Sequence, residues 1–128
     1  MSADWYQDVV TLHKTMGVSL PEQGHLEAIK HRDLRKTLIS EEVGELLEGL
    51  DNNDLVAIAD GIADSIVVLL GTAVTYGIDI RPIWDEVHKT NMRKVGGVKR
   101  SDGKFLKPTG WQPPNVRELL IIQGLEVV

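Results

Sequence analysis

The chain of 128 residues contains no cysteine. This absence excludes disulfide bonds and thiolate metal ligands, and it is compatible with a cytoplasmic location. Basic residues are also in deficit, with 14 Lys and Arg against 19 Asp and Glu and a net charge of −5. We therefore expect no extended electrostatic binding to duplex DNA or to an anionic membrane.

The sequence also lacks the marks of export or membrane insertion. Residues Met1 to Trp5 show no basic segment leading into an apolar one, so we expect no signal peptide. The longest apolar stretch, Ile66 to Val74, is about half of the ~20 residues that span a bilayer, and we interpret it as core. Hydrophobic residues at 42% and charged residues at 26% are typical of a soluble globular protein.

Apolar residues recur at a spacing near 3.6 through most of the chain, and no strand pattern competes with it. The sequence therefore predicts an all-α protein. Turns and loops separate the predicted helices, which run from Asp4 to about Met16, from about Leu26 to Leu50 with a bend or break around Lys30 to Asp33, from Leu55 to Tyr76, from Ile80 to about Lys94, and from Val116 to Leu125.

The residues Asp51-Asn52-Asn53 predict a tight turn between the second and third helices, with Asn53 or Asp54 capping the third. So short a connection makes the two helices antiparallel neighbours, a central helix hairpin. One or two flanking helices would leave apolar stripes on it, so we expect a helical bundle completed by homo-oligomerisation. We predict a single domain over 1–128, with a helical core over about 4–95 and a basic tail over 96–128.

Acidic residues at one-turn spacing lie on both arms of the predicted hairpin. The second helix carries Glu41, Glu42 and Glu45, and the third carries Asp60 and Asp64 inside an apolar run. At 1.5 Å of rise per residue their levels match across the turn, so the carboxylates can converge. Like charges repel and are costly to bury, so a cation should compensate them, and oxygen ligands favour Mg²⁺ or Mn²⁺.

Other interpretations of the acidic residues remain open at this stage. An acidic run alone is common on a solvated helix face, which is an adequate account of residues 41–45 taken by themselves. A di-iron carboxylate bundle would need Glu-x-x-His on two helices. The sequence has that pattern only at Glu22 to His25, in a loop with Pro21 and Gly24, so this alternative is less favoured.

Three segments in order, residues 35–46, 59–64 and 86–94, resemble the all-α nucleoside triphosphate pyrophosphohydrolases. That superfamily includes MazG-like enzymes, dimeric dUTPases and phosphoribosyl-ATP pyrophosphohydrolase, and the resemblance covers roughly Val9 to Lys94. The family pattern is Glu-Glu-x-x-Glu followed by Glu-x-x-Asp, whereas this chain has Gly61 three residues before Asp64. Asp60 would supply the missing carboxylate, which looks closest to the phosphoribosyl-ATP pyrophosphohydrolase-like branch.

The resemblance implies a hydrolase acting on phosphoric anhydrides. It would convert a nucleoside triphosphate, such as dUTP or a related or damaged nucleotide, to the monophosphate and pyrophosphate. Glu42, Glu45, Asp60 and Asp64 would bind Mg²⁺ or Mn²⁺, and Glu41 or Glu42 would be the general base. A homodimer or homotetramer is implied. Two alternatives are phosphoribosyl-ATP pyrophosphohydrolase of histidine biosynthesis and a non-catalytic metal-binding scaffold.

Basic and amide side chains outside the cluster are candidates for binding the substrate. By the same resemblance, Asn91 would contact the nucleoside and cations the phosphates. The candidates are Arg35, Lys36, Lys89, Asn91, Lys94, Lys99, Arg100, Lys104 and Lys107. Cations also favour a helix C-terminus without any ligand, which is an alternative for residues 89–94. The basic tail could close as a lid, or Phe105 and Trp111 could pack on the bundle or on a neighbouring subunit.

Overall fold

A computed structural model of the chain describes residues 3–18 and 29–127. Within these ranges the protein has five α-helices and no strand, apart from an isolated antiparallel bridge between Lys99 and Phe105. The all-α prediction is confirmed. The helices are α1 Trp5–Thr15, α2 Arg32–Asp51, α3 Leu55–Thr75, α4 Ile80–Met92 and α5 Val116–Ile122.

The ends of the helices agree with the predicted ones to within a few residues. A short 3₁₀ turn, Ile29–His31, lies directly before α2 and overlaps the region where a bend or break is predicted. The predicted start at Leu26 and most of the preceding loop lie outside the described residues. Helix α4 ends two residues before Lys94, because the N–H groups of Lys94 and Val95 bond to carbonyls three residues back and tighten the last turn.

Local side chains explain where α1 and α3 begin. A carboxylate caps each helix: Asp4 accepts from Gln7 N at 3.0 Å, and Asp54 accepts from Ala57 N at 3.1 Å. Asn53 instead takes the left-handed conformation of the turn, with φ 51°. Of the two residues considered as the cap of the third helix, the structure selects Asp54.

Helices α2 and α3 form the predicted antiparallel hairpin, and small residues let their backbones approach closely. A Cβ atom at Gly61 would lie 2.9 Å from the Cα of Leu46, and one at Gly49 would lie 3.1 Å from the Cβ of Ala57. Each step back along α2 is therefore matched by a step forward along α3. This register sets which side chains face each other across the hairpin.

The chain divides into two compact units, a hairpin unit, Met1–Asp79, and a C-terminal unit, Ile80–Val128. In the hairpin unit α1 packs on α3, and Val9, Ala73 and Val74 are buried. In the C-terminal unit α4 contacts α5, and Ile83 and Thr90 are buried. The single domain over residues 1–128 stays a prediction.

Helix α3 is the most apolar element. Among the described helices it alone is long and apolar enough to cross a membrane. The core helix of a soluble protein can have the same length and composition. Little of it is buried within the monomer: Leu55 is 77% and Val56 80% exposed. An apolar arm with this much exposed surface is consistent with the expectation of a bundle that one copy does not complete.

Candidate active site

The α2–α3 hairpin positions all five predicted carboxylates within the hairpin unit. Those of Glu41, Glu45 and Asp60 are exposed, whereas Glu42 and Asp64 are half-buried. The contact between Gly61 and Leu46 lies beside Glu45 on one arm and Asp60 on the other. Residues three and four apart in a helix lie on the same face, so the acidic residues occupy one stretch of the hairpin, as their spacing predicts.

Glu42 is the centre of this carboxylate cluster. Its Oε2 atom is shielded from water and has no hydrogen-bond partner among the described residues. Burial is the largest influence that raises the pKa of Glu42, followed by repulsion from Glu45, Asp64, Glu41 and Asp60. All four other carboxylates are therefore close enough to act on its charge.

The cluster is not assembled as a coordination shell. Within the described ranges, no three acidic or histidine side chains are gathered tightly enough to hold one metal ion. The residues nevertheless fit a divalent cation, because they supply oxygen ligands only, four of them repel the charge of Glu42, and Glu42 has a shielded oxygen with no partner in the described part of the chain. The ligand set of Glu42, Glu45, Asp60 and Asp64 stays a prediction.

The departure from the family pattern at residue 61 has a packing reason. A side chain there would collide with the backbone of α2, because the Cβ position is 2.9 Å from the Cα of Leu46. A carboxylate at position 61 would require a wider hairpin. Asp60, one residue earlier, is exposed and lies clear of this contact.

Of the two basic residues before the cluster, Arg35 lies inside the hairpin and Lys36 is exposed. The guanidinium of Arg35 donates to Val68 O at 2.7 Å and to Thr72 Oγ1 at 3.1 Å, and burial lowers its pKa. Both acceptors are neutral. In this arrangement Arg35 ties α2 to α3, a role that the sequence did not indicate, and phosphate binding by either residue stays a prediction.

The remaining basic candidates belong to the C-terminal unit. Lys94 donates to Asn91 Oδ1 at 2.9 Å. The ammonium groups of Lys94 and Lys107 lie 5.2 and 4.9 Å from the centre of the Trp111 ring, a cation–π arrangement. Arg100 pairs with Asp102. Exposed side chains complete the set, namely Lys89, Lys99 and Lys104.

The basic tail is anchored to α4 through its tryptophan. Trp111 Nε1 donates to Thr90 O at 2.6 Å, and Thr90 is 1% exposed. Of the alternatives for the tail, packing of Trp111 on a bundle element of its own chain is observed. Closure of the basic tail over a ligand stays a prediction.

Sequence reasoning missed one polar residue of the hairpin, Ser65. This side chain is buried, and its Oγ atom has no hydrogen-bond partner among the described residues. A signal was available, because Ser65 follows Asp64 directly and lies one helical turn after Gly61. Ser65 therefore lies on the same stripe of α3 as Gly61, which contacts α2.

The raised pKa of Glu42 predicts a pH-dependent stability. Folding favours the protonated form of Glu42, so its ionisation destabilises the fold. This destabilisation is absent below pH 4.5, the ordinary pKa, and is fully present above the raised pKa of the folded state. We expect Glu42→Gln to raise the unfolding temperature of the metal-free protein at neutral pH, and this gain to disappear on acidification. Thermal unfolding in EDTA from pH 4 to 8 measures it, and a gain that is independent of pH would contradict it.

An antiparallel helix hairpin with acidic side chains on both arms places the protein in the class of all-α hairpin proteins. The chain belongs to the phosphoribosyl-ATP pyrophosphohydrolase family, whose model matches residues 9–91. This family is part of the MazG-like nucleoside triphosphate pyrophosphohydrolase superfamily, so the resemblance is confirmed. A comparison with curated proteins gave no match. The matched span contains the whole carboxylate cluster, and membership supports a nucleotide pyrophosphohydrolase type of function.

Proposed function

We propose that the protein is a Mg²⁺-dependent hydrolase that releases pyrophosphate from the triphosphate group of a nucleotide, with Mn²⁺ as an alternative ion. The observation that carries the proposal is the state of Glu42. Its Oε2 atom is shielded from water and has no hydrogen-bond partner among the described residues, and four other carboxylates repel its charge. Such a carboxylate is stabilised by a bound divalent cation.

In the proposed reaction a water molecule attacks the α-phosphorus, the bond from that phosphorus to the bridging oxygen breaks, and pyrophosphate leaves with the bonding electrons. Glu41 or Glu42 accepts the proton of the attacking water. Bound between Glu42, Glu45, Asp60 and Asp64, a divalent ion would neutralise phosphate charge and lower the pKa of a bound water.

Two candidate substrates share this chemistry, since each carries a triphosphate. Nucleoside triphosphates, including dUTP and related or damaged nucleotides, are the first. Phosphoribosyl-ATP is the second, and the matching family model favours it. Pyrophosphate release from a panel of both kinds, with Mg²⁺, Mn²⁺ or EDTA, tests the proposal. Activity confined to phosphoribosyl-ATP selects the second substrate, and Mg²⁺ binding without turnover of any substrate would indicate a non-catalytic scaffold.

The exposed apolar surface of the hairpin unit supports a homodimer or homotetramer as part of this proposal. Besides α3, it includes an apolar groove of about 420 Å³ between α1 and α3, lined by residues such as Trp5, Ile62 and Ile66. A second copy of the chain would remove this surface from water. Light scattering of the purified protein measures the assembly, and a monomer at micromolar concentration would contradict it.

Asp60→Ala tests whether this residue replaces the carboxylate that Gly61 cannot supply. We expect turnover to fall on the order of a hundredfold, because one oxygen ligand is lost. The fold should be unaffected, since Asp60 is exposed and alanine is the better helix former. Steady-state kinetics at saturating Mg²⁺ measure it. Full activity would show that Asp60 is not the replacement ligand.

The basic tail is proposed to contact the phosphates of the substrate. The double variant Lys104→Ala with Lys107→Ala should raise KM about tenfold, which corresponds to ~1.4 kcal/mol of lost phosphate contact, and should lower kcat less. Residues 96–114 should also gain protection from hydrogen exchange when a non-hydrolysable nucleotide and Mg²⁺ bind. Lys14→Ala, an exposed lysine of α1, is the control for lost charge. An unchanged KM with unchanged exchange would show that the tail is structural only.

A further inference from the structure

Ser65 is a buried hydroxyl that the hydrogen bonding of its own helix leaves unused. Hydroxyls in a helix ordinarily donate to the carbonyl one turn back, and in α3 Thr72 bonds Val68 O and Thr75 bonds Gly71 O, each at 2.8 Å. Ser65 is 6% exposed, yet its Oγ has no partner among the described residues. Its donor is therefore available to an acceptor outside α3.

The register of the hairpin identifies the residue opposite Ser65. On α3, Gly61 lies one turn before Ser65 and contacts Leu46, and Thr72 lies two turns after it and accepts from Arg35. On α2, Leu46 lies one turn after Glu42, and Arg35 lies two turns before it. Because the helices are antiparallel, Glu42 and Ser65 occupy the same level on facing stripes.

The two groups are chemically complementary. Glu42 Oε2 and Ser65 Oγ are both shielded from water and both without a partner among the described residues. A carboxylate accepts hydrogen bonds and a hydroxyl donates one. A buried polar atom left without a bond is unfavourable, so two such atoms at one level of the hairpin call for a common explanation.

We propose that Ser65 is a positioning residue of the carboxylate cluster: its hydroxyl donates to the shielded oxygen of Glu42 when a divalent cation binds the other oxygen. The bond holds the ionised carboxylate in one orientation toward the cluster. Residues that hydrogen-bond a metal-binding group in this way orient the ligand and raise its affinity for the ion. This inference rests on the proposed Mg²⁺-dependent function, and it adds a residue that contacts neither substrate nor cation.

Ser65→Ala separates this role from a purely structural one. Removing a buried, unpartnered hydroxyl should raise the unfolding temperature of the metal-free protein or leave it unchanged. The same change should weaken Mg²⁺ binding about tenfold, because Glu42 loses its orienting bond. Calorimetric titration with Mg²⁺ and thermal unfolding in EDTA measure the two effects. If the hydroxyl were purely structural, the substitution would change only the unfolding temperature, so unchanged Mg²⁺ affinity overturns the proposal.

A matched pair controls for packing in the tight seam. Ser65→Thr and Ser65→Val add nearly the same bulk, but only threonine keeps the hydroxyl. We expect the threonine variant to bind Mg²⁺ about tenfold more tightly than the valine variant, whatever strain the added bulk brings. Equal Mg²⁺ affinities of the two variants overturn the role of Ser65. The proposed function still holds in that case if the wild-type protein binds Mg²⁺ and releases pyrophosphate. A wild-type protein that neither binds Mg²⁺ nor releases pyrophosphate overturns both.

Discussion

Asp64→Asn should abolish Mg²⁺-dependent turnover without unfolding the protein. Asparagine keeps the shape of the side chain but loses the charge that would bind the cation, so we expect kcat to fall on the order of a thousandfold, equivalent to ~4 kcal/mol. The metal-free fold should be as stable or more stable, because Asp64 is one of the carboxylates whose repulsion raises the pKa of Glu42. Pyrophosphate release and thermal unfolding in EDTA measure the two effects.

Asp51→Asn is the matched control for this experiment. Asp51 is an exposed residue at the end of α2, and it is not among the carboxylates that act on Glu42. The control removes the same charge from the same hairpin, so it should keep wild-type turnover. Turnover of Asp64→Asn that matches this control would show that the acidic cluster is a solvated surface and not a metal site.

The features of this protein that sequence predicts well are local ones. The hairpin follows from helical periodicity on both sides of Asp51 to Asn53, and the carboxylate levels follow from the rise per residue and from the short turn. Both inferences need only the geometry of a helix and of its neighbour. The matching family model, over residues 9–91, spans the whole hairpin.

Features that depend on contacts between distant residues could not be predicted. The sequence predicts Arg35 as a phosphate-binding residue and does not indicate its hydrogen bonds to Val68 O and Thr72 Oγ1, which lie more than thirty residues away in the chain. Trp111 bonds the carbonyl of Thr90 across 21 residues. Ser65 gained its significance only when the register placed it level with Glu42. Such contacts depend on which faces of the helices meet, and composition and spacing do not fix that.

Gly61 shows how the same residue takes on a different meaning once the packing is known. In the sequence, Gly61 stands where the family pattern has a glutamate, so a carboxylate is missing there. In the structure it is the point of closest approach between α2 and α3. The close approach brings together the two helices that carry Glu42 and Asp64.

Gly61→Ala should therefore destabilise the protein, although alanine is normally the better residue within a helix. The added methyl group would lie 2.9 Å from the Cα of Leu46, and backbone cannot swing aside as a flexible side chain would. Overpacking of this kind costs about 1–3 kcal/mol, and the helix propensity of alanine offsets only about 1 kcal/mol of it. We expect a lower unfolding temperature in EDTA and, because the arms are forced apart, weaker Mg²⁺ binding.

Gly44→Ala is the matched control, because it makes the same chemical change on α2, between Glu42 and Glu45. There, apart from the adjoining residues and backbone of α2 itself, no atom of the described residues lies within 4 Å of the added Cβ. There the helix propensity acts unopposed and should stabilise the protein by up to about 1 kcal/mol. The two substitutions should thus shift the unfolding temperature in opposite directions. If Gly61→Ala is as stable as Gly44→Ala and binds Mg²⁺ equally well, then close packing at residue 61 does not hold the carboxylate cluster together, and the absence of a glutamate at that position needs another explanation.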